Sequence, residues 1–141
     1  MMTRIFAAAT LLFAMTACGD SSQKELPLEG TTWKLARMES IPASAVDAEE
    51  DAFTLEFNAA DTLVAGRTNC NRFFGKYERT GKSLKMGPLG MTRMACPEME
   101  YEDSFVRMLD GVDSYEIKGS DLKLLDGGQV VAEFRGTPAA E

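Results

Sequence analysis

The stretch Thr68-Asn69-Cys70-Asn71-Arg72-Phe73-Phe74-Gly75 organises the rest of this chain. It packs a cysteine, two asparagines, an arginine and two adjacent aromatic residues into eight positions. A second dense stretch, Met91-Thr92-Arg93-Met94-Ala95-Cys96-Pro97, contains Cys96, the expected partner of Cys70. We therefore expect these two stretches to lie together in the folded chain.

The composition indicates one compact, acidic domain. The chain has 141 residues, of which 45% are hydrophobic and 9% aromatic, enough for one core. Its net charge is −7, which argues against nucleic acid as a partner, because binding the phosphate backbone needs clustered Lys and Arg. We expect a monomeric domain that does not bind nucleic acid.

Residues 1–17 have the features of a lipoprotein signal peptide. Arg4 supplies the positive charge, and the apolar run that follows is shorter than the roughly 20 residues of a membrane-spanning helix. The sequence Met15-Thr16-Ala17-Cys18 resembles a bacterial lipobox, with Met15 where that pattern prefers Leu. The alternative is an ordinary secretory signal cut after Ala17, which Met15 fits poorly. We expect lipidation at Cys18.

The residues after Cys18 bear on location and domain limits. Asp directly after the lipidated Cys resembles an inner-membrane retention signal, whereas here Gly19 holds that place and Asp20 follows. We therefore predict a cell-envelope protein anchored by lipid to the outer membrane and facing the periplasm. Residues 18–26 are predicted to be a flexible tether, 27–136 the domain and 137–141 a tail.

The hydrophobic pattern predicts mostly strands. Apolar residues alternate with polar ones in eight short segments, namely Thr32 to Met38, Phe53 to Phe57, Thr62 to Thr68, Phe74 to Arg79, Ser83 to Met86, Tyr115 to Lys118, Asp121 to Leu125 and Gln129 to Phe134. One helix is predicted after Pro97, with an apolar face of Tyr101, Phe105, Met108, Leu109 and Val112. Short connections make neighbouring strands antiparallel. The predicted fold class is mainly β (α+β), a compact antiparallel barrel-like sheet of about eight short strands with one covering helix.

The residue types present exclude several kinds of active site. The chain has no His, so Ser-His-Asp and Cys-His catalysis and His-ligated metal sites are ruled out. We find no Gly-rich phosphate loop and no paired carboxylates in an apolar context. We therefore predict a non-enzyme with no catalytic residue, metal or cofactor. A carbohydrate hydrolase that uses surface carboxylates is a weaker alternative.

Cysteine counting favours a structural disulfide. With Cys18 used for lipid, Cys70 and Cys96 remain, and pairing is the default in an oxidising compartment. Such a bridge would close a loop of about 27 residues and contribute about 3.5 kcal/mol. The alternative is a redox pair, but the spacing is not C-x-x-C.

Two other groups near the cysteines could bind a ligand. Arg72 and Arg93 either form a small anion-binding pair or hydrogen-bond to carbonyls and carboxylates of the protein. If Asn71, Arg72 and Arg93 face solvent together, they mark the ligand site. The Met91, Met94 and Met99 thioethers are soft ligands that could hold copper(I), although Met more often fills gaps in a core.

The two dense stretches together resemble the META domain family, typified by the heat-shock lipoprotein HslJ. The segment Leu28-Glu29-Gly30-Thr31-Thr32-Trp33 adds to the resemblance, which covers residues 27–135. One departure is Asn69, where the family usually has Gly. The resemblance implies a compact antiparallel barrel-like fold with a helix, export, frequent lipid anchoring and an association with envelope or heat stress. It supplies no catalytic residue.

These observations lead to one main functional hypothesis and one alternative. The main hypothesis is a non-enzymatic envelope lipoprotein that binds an envelope protein or cell-wall partner and contributes to heat or antibiotic stress tolerance. The alternative is a periplasmic protein that binds copper through Met91, Met94 and Met99.

Overall fold

The structure is a computed structural model that describes residues 24–139. The predicted signal peptide, lipidated Cys18 and most of the predicted tether therefore lie outside the described residues. Within residues 24–139, no helix is long and apolar enough to cross a membrane.

The described chain contains nine strands and two helices. In order they are β1 (Thr31–Arg37), α1 (Ala43–Val46), β2 (Thr54–Asn58), β3 (Leu63–Arg67), β4 (Arg72–Thr80), β5 (Ser83–Met86), β6 (Gly90–Met91), α2 (Met99–Gly111), β7 (Ser114–Lys118), β8 (Asp121–Asp126) and β9 (Gln129–Pro138).

Eight of the strands form a closed antiparallel barrel. Their order is β3-β2-β1-β9-β8-β7-β5-β4, and pairing of β3 with β4 closes the ring. Strand β6 is an extra strand that pairs with β4, with Phe73 opposite Met91. The ring is weakest between β5 and β7, which pair only at Ser83 and Ser114. The predicted fold class is confirmed.

The barrel interior is filled by aromatic side chains, including one from α2. Phe105 of α2 is fully buried, and its ring centroid lies 5.4 Å from that of Phe53, 6.1 Å from that of Phe73 and 6.2 Å from that of Phe134. Trp33 is also fully buried and donates from Nε1 to the Leu28 carbonyl at 3.0 Å. Helix α2 is thus fixed to the barrel through its apolar face, as the helical pattern predicts.

The acidic segment between α1 and β2 is ordered by two basic side chains. The Lys34 ammonium group donates to the carbonyls of Val46, at 2.8 Å, and of Ala52. Arg67 forms ion pairs with Glu49 and Asp51, both at 2.8 Å. This segment, which none of the predicted elements covers, is therefore a loop held in place by hydrogen bonds and ion pairs, with one short helix.

Most predicted strand boundaries shift by one or two residues, and three further differences have an identifiable cause. Strand β9 continues to Pro138, beyond the predicted domain limit at 136, because it pairs with β1 as far as Thr31. Helix α2 begins at Met99 because Glu98 has a left-handed φ of 62°. Strand β6 is not among the predicted strands, because its two residues are too few to show alternation.

Candidate functional site

The two cysteine stretches meet at a corner of the barrel. A disulfide joins Cys70 and Cys96, whose Cα atoms are 5.9 Å apart. Cys70 lies in the turn between β3 and β4, and Cys96 lies in the segment between β6 and α2. The predicted disulfide is confirmed. It joins the turn just before β4 to the segment just before α2.

Asn71 is buried beneath this corner and does not face solvent. Only 2% of the residue is exposed. Its Oδ1 accepts from the Met94 N–H at 2.7 Å and from the Thr92 hydroxyl at 3.0 Å. Its Nδ2 donates to the Met94 carbonyl and to Glu102 Oε1, both at 3.1 Å. All four hydrogen-bonding positions of the amide are thus used inside the protein. Asn71 positions the corner and is not available to a ligand.

Glu102 of α2 completes the network under the corner. The residue is 6% exposed, and its carboxylate accepts from the Thr68 hydroxyl at 2.6 Å and from the Asn71 N–H at 3.1 Å. The helix dipole adds a favourable interaction, because Glu102 lies in the first turn. The predicted apolar face omitted this position. Its spacing of three residues from Phe105 and seven from Leu109, both fully buried, places it on that face.

Arg72 and Arg93 are both exposed, in contrast to Asn71. The backbone of Arg72 is fixed by Thr92, whose N–H donates to the Arg72 carbonyl at 3.0 Å and whose hydroxyl accepts from the Arg72 N–H at 3.0 Å. Arg93 follows Thr92 directly. The structure therefore brings two of the three predicted binding residues to the surface of one corner, and their binding role stays a prediction.

Two apolar side chains are exposed beside these arginines. Phe74 and Met94 are each 60% exposed, more than any other large apolar residue of the described chain. Arg72 and Phe74 point outward from β4 because alternate residues of a strand share a face. The Met94 backbone is hydrogen-bonded to the side chain of Asn71, the residue directly before Arg72. We call Arg72, Phe74, Arg93 and Met94 the corner patch.

Glycines allow the chain to pack closely around the patch. A Cβ atom on Gly75 would lie 2.8 Å from Leu89 Cδ2 and from the Pro88 carbonyl oxygen. A Cβ atom on Gly90 would lie 3.0 Å from Cζ of the Phe74 ring. The Phe74 ring therefore lies over Gly90, with its other face open to solvent.

The three methionines of the copper hypothesis lie in different surroundings. Met91 is half-buried, Met94 is exposed, and Met99 accepts a hydrogen bond at Sδ from the Cys96 N–H at 3.5 Å. The nearby cysteines are joined as a disulfide and hold no thiolate. In residues 24–139, no group of three or more His, Cys, Asp and Glu side chains is placed to hold a metal ion. Copper binding stays a prediction.

A separate cluster of titratable groups surrounds Tyr77 on β4. The Tyr77 hydroxyl donates to Glu29 Oε1 at 3.2 Å, and Glu29 also forms an ion pair with Arg79. Burial, followed by the negative charge of Glu29, raises the pKa of Tyr77 to about 12. Arg79 in turn lies over the Tyr115 ring, 5.5 Å from its centroid. The cluster joins the chain before β1 to β4 and β7.

Comparison with known proteins identifies a family and a shared fold. The META domain family matches residues 26–138. The comparison with curated proteins gives no match. Among solved structures, an NMR structure of a protein from Burkholderia xenovorans has a TM-score of 0.63 at 24% identity, covering 78% of this chain and 83% of that one. A second NMR structure has a TM-score of 0.58 at 22% identity, covering 77% and 90%.

A crystal structure gives the same result at lower identity. This protein, of the DUF4847 family from Bacteroides vulgatus, has a TM-score of 0.54 at 15% identity, covering 78% of this chain and 93% of that one. At such identities the three structures show a shared fold and nothing about ligands.

Proposed function

This chain belongs to the META domain family, and we propose that it is a non-enzymatic, lipid-anchored envelope protein that binds another envelope protein through its corner patch. The META domain family is not a known enzyme family. The resemblance to envelope and heat-shock lipoproteins extends the proposal to a role in heat or antibiotic stress tolerance.

The observation that carries the proposal is the exposed Phe74 ring beside Arg72 on a rigid strand. Aromatic, Met and Arg side chains are enriched at the centres of protein interfaces, where they supply most of the binding energy. The corner patch contains all three types. Its backbone is held by the Cys70–Cys96 disulfide and by Asn71. Binding would therefore cost little conformational entropy of the chain.

The charge of the corner patch indicates the kind of partner surface. The chain as a whole has a net charge of −7, yet the patch contains two arginines and no carboxylate. A partner surface with an apolar pocket for Phe74 and carboxylates for Arg72 and Arg93 would complement it. We therefore favour an acidic protein surface over a cell-wall glycan.

The anchor is part of the same proposal. Lipidation of Cys18 would hold the domain at the outer membrane, in the periplasm. Intact mass of the protein extracted from the membrane fraction is then expected to show acyl chains on a chain that begins at Cys18. A chain that begins at Cys18 without added acyl mass would contradict the anchor.

A stress-survival experiment tests the proposed role. A strain that lacks this protein is supplied with the wild-type chain, with the double variant Arg72→Glu/Phe74→Ser, or with Val130→Ser as a matched exposed control. We expect wild type and the Val130 variant to restore survival at elevated temperature, and the double variant at equal protein level to fail. Equal survival with all three would contradict the role of the corner patch.

No contact among Met91, Met94 and Met99 supports copper binding. It stays a second hypothesis that a simple experiment can test. Titration of the periplasmic protein with copper(I) tests this hypothesis, and a titration without binding would rule it out. The carbohydrate-hydrolase alternative likewise stays a prediction.

A further inference from the structure

A groove lies between α2 and the segment from β5 to β6. Its volume is about 320 Å³, at the lower end of the range of about 300–1,000 Å³ for small-molecule sites. The apolar part of its lining is formed by Met86, Leu89, Met91 and Val106. We call it the helix groove. The corner patch shares none of its lining residues.

The charged part of the lining is mostly acidic. Glu102, Asp103 and Asp110 contribute three carboxylates, against the single guanidinium of Arg107. None of the ion pairs found among residues 24–139 involves any of these four residues. The groove therefore combines an apolar surface with a local excess of unpaired negative charge.

Glu102 is the buried member of this set. Burial of a charged group is unfavourable unless it is compensated, and the donors to Glu102 are the neutral groups of Thr68 and Asn71. Its Oε1 accepts only the Asn71 Nδ2 bond among the described contacts. A carboxylate can accept about four hydrogen bonds, so Oε1 retains capacity for a further donor.

We propose that the helix groove binds a small cationic amphiphile, a molecule with an unbranched apolar chain and one primary ammonium group. The ammonium group donates to Glu102 Oε1 in the field of Asp103 and Asp110. The apolar chain packs against Leu89, Met91 and the other apolar lining residues, where flexible methionines adapt to its shape. The lining residues of this site are distinct from those of the corner patch, although Glu102 also accepts the Asn71 hydrogen bond beneath that patch.

An NMR titration of the full chain tests the proposal with n-octylamine, octan-1-ol and octanoate as matched probes below their aggregation limits. We expect saturable shifts for octylamine at the backbone amides of residues 86, 87, 89–91 and 102–110. Octanol, which lacks the charge, should bind about tenfold more weakly, and octanoate more weakly still. Equal binding of octanol and octylamine, or no saturable shifts at these amides, would overturn the proposal.

Variants separate the charge effect from the fold. Asp103→Asn and Asp110→Asn, both exposed, should each weaken octylamine binding about threefold, and Arg107→Gln should strengthen it by a similar factor. Glu116→Gln on β7, also exposed, is the control and should leave binding unchanged. If the Asp103, Asp110 and Arg107 variants all match wild type, the electrostatic basis of the site is wrong.

Discussion

Asn71 Nδ2 donates to Glu102 Oε1 across 3.1 Å and thereby joins two residues that are 31 positions apart. Cys70, the neighbour of Asn71, is bonded to Cys96 just before the same helix. The corner and α2 are thus held together twice, once by buried hydrogen bonds and once by a covalent bond. The exposed side chains of the corner patch are built on this double connection.

Replacement Asn71→Ala should reduce the free energy of unfolding by about 3 kcal/mol, because it leaves the buried Glu102 Oε1 and the partly buried Met94 N–H without these hydrogen bonds. Urea unfolding of the two proteins measures the difference. The control is Asn58→Ala, whose exposed side chain accepts one bond from the Ala60 N–H and whose loss should reduce stability by less than about 1 kcal/mol. Similar losses for both variants would show that the Asn71 network is not stabilising.

Removal of the disulfide by Cys70→Ala/Cys96→Ala should reduce the free energy of unfolding by about 3.5 kcal/mol, since the unfolded chain is no longer restricted by the closed loop. Reductant should lower the stability of the wild-type protein and leave the double variant unchanged, as urea unfolding with and without dithiothreitol will show. Intact mass of protein from the periplasm establishes whether the bridge is present. Free thiols in that sample would contradict a structural disulfide.

Stability should fall in alkaline solution through Tyr77. Its pKa rises from an ordinary 10.0 to about 12 in the folded chain, so the folded state keeps a proton that the unfolded state releases. The stabilisation is complete below pH 10.0 and is lost as the pH rises through about 12. Unfolding free energies of wild type and Tyr77→Phe across this range measure the effect.

The Phe variant keeps the ring that packs edge-on against Phe57 at a centroid distance of 5.1 Å and removes the titrating hydroxyl. Its stability should therefore decline less steeply than that of wild type between pH 10.0 and about 12. Lys34 and Tyr115 also have shifted pKa values, but both residues are present in the two proteins. Their contributions to the pH dependence of stability therefore cancel in the comparison. Parallel curves would mean that Tyr77 titrates in the folded protein as it does in the unfolded chain.

Much of the fold could be predicted from the sequence because the strands are amphipathic. The alternation of Phe53, Leu55 and Phe57 is visible directly, and the structure places β2 there at Thr54–Asn58. The disulfide was predictable because only two cysteines remain outside the predicted lipidation site. Strand β6 was not predictable, since its two residues are held by pairing with β4, a contact between distant parts of the chain.

The candidate site was predicted only in part, for a related reason. Asn71, Arg72 and Arg93 are polar residues in one motif, and their sequence does not reveal which of them point inward. Burial of Asn71 depends on Glu102 and Met94, which are brought to it by the barrel and the disulfide. Likewise, Phe73 is buried and Phe74 exposed because β4 pairs in a register that only the complete sheet sets.

Site-specific photocrosslinking in intact cells tests the central claim, that the corner patch binds an envelope protein. A photoreactive phenylalanine analogue is placed at position 74, with the same analogue at exposed position 130 as the control. We predict one specific envelope protein crosslinked from position 74, absent from position 130 and reduced when Arg72→Glu is added. Recovery of the same abundant bystanders from both positions would contradict the claim.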